Sequence, residues 1–292
     1  MTRLLLLFSF VLPAFPQSVP SGAVDLPLPE FARFMEIVCP GHHDAQTCAV
    51  CPPESGRARS SLGWQLVAIT FGHFTAPQAK EALMSTQGCA SHAEGWGGSF
   101  LLRDDGRGYQ KVWYRGGYSA SDCKKLKASD GRDVLICEAG DMHFGVGDEY
   151  LYLLDLNWID PDTHWPTRLF FLINDTLASC VTLDGYAVIG YIDAVKFSTE
   201  PGSGKIGIAV TAHAGKALLP PKVLDDCNLN SKPLADEYKP VIATKSLLFR
   251  FTFDGSNVRP VPDNPPLNGI EPTVPVTSYY VPKAGHPVKL RR

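Results

Sequence analysis

The chain has 292 residues, of which 45% are hydrophobic and 20% are charged, and its formal net charge is −3. This composition is that of an ordinary globular protein and excludes wholesale disorder. The slightly acidic balance gives no basis for nucleic-acid binding, because that binding requires clustered Lys and Arg that displace counterions from phosphates.

Residues 1–23 have the pattern of a secretion signal peptide. Arg3 supplies the positive start, and the apolar stretch from Leu4 to Leu12 is too short to cross a bilayer, which needs about 20 residues. A buried N-terminal strand or helix is the alternative. We expect an exported protein, either periplasmic or secreted, and no other run is long and apolar enough to predict a transmembrane segment.

Residues 24–61 are predicted to contain one helix and a cysteine-rich loop. The helix starts at Pro29, and four apolar side chains fall on one of its faces: Phe31, Phe34, Met35 and Val38. The loop contains five residues of types that bind zinc: Cys39, His42, His43, Cys48 and Cys51. Cys48 and Cys51 also have the C-x-x-C spacing of redox sites. Because disulfides persist in exported proteins, we expect disulfides here and no metal.

Residues 62–262 form a series of short strands rich in β-branched and aromatic residues, separated by Gly, Asp and Pro. The strands repeat as three units of four. They begin at Leu66, Glu81, Ser99 and Tyr109, then at Lys124, Asp133, Glu149 and Arg168, and then at Ile192, Lys205, Leu247 and Asn257. We predict an all-β fold of three tandem four-stranded antiparallel units, either propeller-like or open. Residues 263–292 form a proline-rich tail that we expect to be extended or disordered.

The segment Gly72–Met84 and the similar segment Ala128–Ile136 resemble the blades of FG-GAP or VCBS-type repeat proteins, the integrin-α-like β-propellers. The resemblance covers Leu62 to Cys137 and implies a propeller-like fold. It does not imply calcium binding, because Thr75 to Gln78 supplies no carboxylate at the position of the family's calcium loop. Three units are fewer than the four to eight blades of a closed propeller, so an open stack of sheets and a β-sandwich remain alternatives.

All eight cysteines follow the signal peptide: Cys39, Cys48, Cys51, Cys89, Cys123, Cys137, Cys180 and Cys227. An even number of cysteines in an exported chain predicts disulfides, although eight cysteines allow 105 pairings. A three-residue hairpin turn with Gly131 in the left-handed conformation would set Cys123 opposite Cys137, whereas a two-residue turn would shift the register by one. We also expect Cys180 to pair with Cys227, because the two bracket outer strands of the third unit.

Two loops carry residue types that suit ligand binding. One joins the second and third strands of the first unit, and the other is the long loop of the second unit, residues 155–165. The candidate residues are His92, Glu94, Trp96, Trp158, Asp160, Asp162, His164 and Trp165. Their imidazole and carboxylate groups could perform acid–base chemistry, and paired carboxylates beside tryptophans suit sugar binding or glycoside hydrolysis. The structural alternative is that both loops are turns whose tryptophans pack on the sheet.

The strong catalytic motifs do not occur in the sequence. The run from Gly202 to Lys205 lacks the earlier Gly of a phosphate-binding loop, and neither a nucleophile elbow nor a zinc-protease motif is found. We therefore predict an exported non-enzymatic β-repeat protein that presents loops to a carbohydrate or protein partner, without a cofactor. The alternative is a secreted, glycan-directed hydrolase that uses carboxylates from residues 155–165.

Overall fold

The computed structural model describes residues 28–44, 46–55, 63–89, 97–143, 146–159, 166–176, 187–200, 202–217 and 244–265. These residues form one α-helix and three antiparallel sheets. The predicted signal peptide, Cys180, Cys227 and the tail beyond residue 265 lie outside the described residues. Within the described part of the chain, no helix has both the length and the apolar character needed to span a membrane.

Each predicted four-stranded unit forms one sheet. The first sheet contains β1 Thr47–Cys48, β2 Trp64–Gly72, β3 Glu81–Gly88, β4 Gly97–Asp104 and β5 Tyr109–Gly116. The second contains β6 Asp122–Lys127, β7 Asp133–His143, β8 Val146–Leu154 and β9 Thr167–Asp175. The third contains β10 Ala187–Thr199, β11 Ile206–Ala217, β12 Lys245–Phe253 and β13 Val258–Pro260. Strands follow chain order within each sheet and neighbours are antiparallel, which confirms the three predicted units; β1 is an additional short strand.

The sheets pack face to face in chain order, so the second sheet is buried on both faces. In β8, Tyr152 and Leu154 belong to a core shared with the first sheet, whereas Leu151 and Leu153 belong to a core shared with the third. Alternate side chains of a strand point to opposite faces, which explains why β8 ends in an unbroken apolar run. Burying each such leucine stabilises the fold by about 1.5–3 kcal/mol.

Helix α1, Leu28–Val38, covers the other face of the first sheet, as its predicted apolar face requires. Phe34 and Met35 are buried, and the ring of Phe34 lies 5.7 Å from that of Phe71 and 5.1 Å from that of Tyr109. The helix and the second sheet thus enclose the first sheet from its two sides.

Three disulfides stabilise this arrangement: Cys39–Cys48, Cys51–Cys89 and Cys123–Cys137. The first two join the cysteine-rich loop to the residue that follows α1 and to the residue that follows β3. They confirm the disulfide prediction for this loop. Because Cys48 and Cys51 bond to different partners, the redox interpretation of their spacing is wrong, and neither sulfur is available to zinc as a thiolate.

The hairpin of β6 and β7 has the predicted register. Cys123 lies opposite Cys137, and Lys127 lies opposite Asp133, with its Nζ 2.8 Å from the Asp133 Oδ1. Gly131 has a φ of +85°, the left-handed conformation that the three-residue turn demands and that a residue with a Cβ adopts at a cost.

The outer face of the third sheet is at the end of the stack. Lys196 and Arg250 are exposed there, and Leu248 is 41% exposed. The ring of Tyr191 stacks on that of His213 with a centroid distance of 4.9 Å. A largely polar outer face is typical of terminal units in stacked repeats.

Candidate functional site

A groove of about 990 Å³ runs between the first and second sheets. This volume is at the upper end of the range of about 300–1,000 Å³ that is usual for small-molecule sites. The first sheet contributes Val67, Thr86, Gln87 and Gly97 to its walls. The second contributes Glu138, Asp148, Tyr150, Tyr152, Leu169 and Leu172. The segment between β5 and β6 adds Tyr118, Ser119 and Ser121.

A β-bulge in β9 creates the apolar wall of this groove. Leu151 pairs with Phe171 but the next residue of β8, Tyr152, pairs with Leu169, so β9 contains one extra residue at this point. Phe171 therefore faces the core with the third sheet, while Leu169 and Leu172 both face the groove. They are 57% and 37% exposed, which makes them an apolar surface open to a ligand.

Three tyrosines line the groove, and each stays neutral at neutral pH. Burial raises the pKa of Tyr118, Tyr150 and Tyr152 above the ordinary value, and for Tyr150 nearby carboxylates add to the effect. The Tyr152 hydroxyl donates a hydrogen bond to the backbone carbonyl of Ser119. The Tyr118 hydroxyl is buried and has no hydrogen-bond partner. A buried hydroxyl without a partner is costly to the folded state.

One end of the groove is acidic. Burial raises the pKa of Glu138, and the neighbouring carboxylates of Asp122 and Glu149 raise it further. Asp148 accepts a hydrogen bond from the side-chain amide of Asn174. An adjoining cavity of about 370 Å³ shares Asp148 and is lined by three further acids: Asp141, Glu149 and Asp175. The potential at this end therefore opposes an anionic ligand.

Of the eight ligand-binding residues predicted from sequence, the structure describes Trp158, which lines the groove and is half-buried. His92, Glu94, Trp96, Asp160, Asp162, His164 and Trp165 lie outside the described residues. Described residues of or next to both predicted loops nevertheless line the groove: Gly97 follows the first loop, Trp158 belongs to the described start of the second, and Thr167 follows the second. The chain thus enters and leaves both loops at this groove.

The guanidinium of Arg168 lies 4.9 Å from the ring centroid of Trp158, in a cation–π contact that covers one face of the indole. The same arginine donates to Asn257 Oδ1 at 2.7 Å and lies 3.5 Å from Asp155 Oδ2. Arg168 is therefore engaged by side chains of the protein and by the ring of Trp158.

Asp155 is a structural carboxylate. It is 9% exposed, it receives Arg132 Nη1 at 2.8 Å, and it also accepts the backbone N–H of Asn157 at 3.1 Å. It belongs to a network of side chains that joins turns of all three sheets. Arg132, in the turn between β6 and β7, also donates to the carbonyl of Phe74, which follows β2, and Arg168 reaches Asn257 of the third sheet. The hydrolase alternative consequently depends on the carboxylates of residues 160–165, which lie outside the described residues.

His43 of the cysteine-rich loop is engaged by two neighbouring residues. His43 Nε2 lies 2.8 Å from Glu36, and its Nδ1 lies 2.7 Å from the Asp44 carbonyl; these two contacts raise the His43 pKa. Among the residues that the structure describes, no group of three or more His, Cys, Asp or Glu is placed to hold a metal ion.

The groove residues Tyr118, Tyr150, Leu169 and Leu172 were missed by the sequence analysis, which treated them as ordinary strand or linker residues. A signal was present in the continuous apolar run from Leu169 to Ile173. An edge strand with one buried face needs apolar residues only at alternate positions, so this run indicates apolar surface on both faces of the strand. Comparison with known proteins supplies no further identification: no family model, curated protein or solved structure significantly matches this chain.

Proposed function

We propose that this protein is an exported, non-enzymatic β-repeat binding module whose ligand occupies the groove between the first and second sheets. The observation that carries the proposal is the composition of this groove. It combines two exposed leucines with Trp158, and the chain enters both predicted binding loops from its walls. Grooves with apolar and aromatic walls and a few polar groups are the usual form of ligand sites.

The charged side chains of the groove support a binding role over a catalytic one. Within the described lining, they are Glu138, Asp148 and Arg168. Asp148 accepts a hydrogen bond from the amide of Asn174, and Arg168 is bonded to Asp155 and Asn257. Glu138 is therefore the one charged side chain of the described lining that has neither a hydrogen bond nor an ion pair. Glycoside hydrolysis usually requires a pair of carboxylates at a defined separation.

Export is supported by the predicted signal peptide and by three disulfides, which persist in oxidising compartments. The serial stacking of four-stranded sheets supports a propeller-like architecture, while kinship with FG-GAP proteins stays a prediction. Export can be tested by sequencing the N-terminus of the protein recovered outside the cytoplasm, which we expect to begin near residue 24. A chain retained in the cytoplasm with Met1 in place would contradict export.

The secreted hydrolase is a second candidate because Trp158 and Thr167, on either side of residues 159–166, line the groove. It predicts release of reducing sugar ends from a glycan and loss of that release in an Asp160→Asn, Asp162→Asn double variant. If neither the wild type nor the double variant releases reducing ends, while the wild type still binds ligand, the binding module is the correct account.

The groove can be tested with a matched pair of variants. Leu172→Asp places a charge in the groove, whereas Leu248→Asp places one on the outer face of the third sheet, and the two leucines are 37% and 41% exposed. Ligands are first selected with the wild type from a glycan array and a peptide library. We expect Leu172→Asp to lose their binding and Leu248→Asp to retain it. Equal effects of the two variants would refute the groove as the site.

A further inference from the structure

We infer that the groove binds a neutral saccharide, with a sugar ring packed on Tyr150 and Leu172. This inference rests on the proposed function, because it names the ligand class of the same groove. It is carried by three properties of the groove: its apolar platform, its uncharged polar groups and the sign of its charge.

The platform is formed by side chains that lie directly opposite each other. Tyr150 and Leu172 are partners in the register of β8 and β9 and point into the groove, and Leu169 pairs with Tyr152 beside them. A partly buried tyrosine presents a flat apolar ring with a polar tip. Such a surface matches a sugar ring, which has apolar C–H groups on its faces and hydroxyls around its edge.

The uncharged polar groups lie next to this platform. The adjacent lining contains the hydroxyls of Ser119 and Ser121 and the exposed amide of Gln87. Hydroxyls and amides both donate and accept, as the hydroxyls of a saccharide do.

The charge of the groove selects against an anionic ligand. Glu138 and Asp148 line one end, and Arg168 is the one cation in the described lining. Because the Nη1 and Nη2 atoms of Arg168 are engaged by Asn257 and Asp155, a phosphate or carboxylate ligand would meet two acids and, within the described lining, one cation whose charge is already paired.

The geometry also disfavours an extended peptide. Strand addition requires a free sheet edge, whereas β3 and β8, which lie at the centre of this groove, have partners on both sides; β9, which carries Leu169 and Leu172, is the last strand of its sheet. Strand β3 pairs with β2 and β4, and β8 pairs with β7 and β9. A peptide that lies over β3 and β8 would therefore contact side chains without the backbone hydrogen bonds that give such complexes their affinity.

The test uses the full exported chain on an array of neutral and acidic glycans, followed by calorimetric titration with the best neutral oligosaccharide. We expect neutral glycans to be retained and acidic ones to be rejected. Tyr150→Ala should weaken binding at least about tenfold, since it removes the platform.

Tyr191→Ala is the matched control, because Tyr191 is 37% exposed on the outer face of the third sheet and away from the groove. The inference is overturned if no neutral glycan binds, if acidic glycans bind equally well, or if Tyr150→Ala binds like Tyr191→Ala. A peptide that binds the wild type and is lost in Leu172→Asp would overturn the saccharide assignment alone. A chain that binds neither glycan nor peptide would overturn the proposed function as well.

Discussion

Replacing Asp155 with asparagine tests whether this buried carboxylate holds the turns of the three sheets together. Asparagine has nearly the same shape and can still accept the backbone N–H of Asn157 through its amide oxygen. The change therefore removes the negative charge between Arg132 and Arg168 without creating a cavity.

The size of the effect follows from what each arginine retains. Removing one partner of a buried ion pair costs about 3–5 kcal/mol, because the remaining charge is left without compensation. Here Arg132 keeps Asp130, 2.6 Å away, and Arg168 keeps Asn257, so we expect a loss of about 2–3 kcal/mol in the free energy of unfolding. That loss corresponds to a drop of about 4–12 °C in melting temperature for a chain of this size.

The assay is equilibrium denaturation in guanidinium chloride, followed by intrinsic fluorescence, with disulfides intact. Glu54→Gln is the control, because Glu54 pairs with Lys111 at 2.9 Å but both side chains are about a third or more exposed. An exposed pair contributes about 0–1 kcal/mol, so this control should stay close to the wild type. If Asp155→Asn is no less stable than Glu54→Gln, the network does not join the sheets as described.

Three further predictions concern stability. Replacing both Cys123 and Cys137 with alanine should cost about 3 kcal/mol, since the disulfide closes a short loop; an unchanged denaturation midpoint would show that the bond restrains nothing. Glu138→Gln should raise the midpoint at pH 7 but not at pH 4. Because the pKa of this glutamate is raised in the folded protein, its ionisation lowers the free energy of unfolding once the pH exceeds the ordinary glutamate pKa of 4.5. A higher midpoint for the variant at both pH values would refute the raised pKa of Glu138. Gly190→Ala should destabilise by about 1–3 kcal/mol because its Cβ would lie 2.4 Å from a side-chain carbon of β9, whereas Gly116→Ala, with nothing closer than 3.9 Å, should not; equal midpoints for the two variants would contradict the packing of β10 on β9.

The three sheets could be predicted from sequence because their determinants are local. Strand propensity and the spacing of turns defined the units, and Gly131 defined the register that pairs Cys123 with Cys137. The helix was predicted for the same reason, since the spacing of its apolar residues is a property of α1 alone.

The groove could not be predicted because it depends on how two sheets meet. Leu169 and Leu172 lie on the same face of the sheet because of the bulge in β9. No turn residue or glycine in the sequence of that strand indicates the bulge. The partner of Cys51 depends on the same level of structure, because Cys89 is 38 residues away and approaches only when the cysteine-rich loop packs on the first sheet. The sequence analysis instead favoured loop residues, of which the structure describes Trp158.

The groove itself can be tested most directly by methyl NMR of leucine-labelled protein during titration with the ligand selected by the wild type. We predict that the methyl signals of Leu169 and Leu172 shift in proportion to the bound fraction, while those of Leu248 on the outer face of the third sheet stay in place. Shifts at Leu248 with unmoved signals at Leu169 and Leu172 would show that the ligand binds elsewhere and would contradict the central claim.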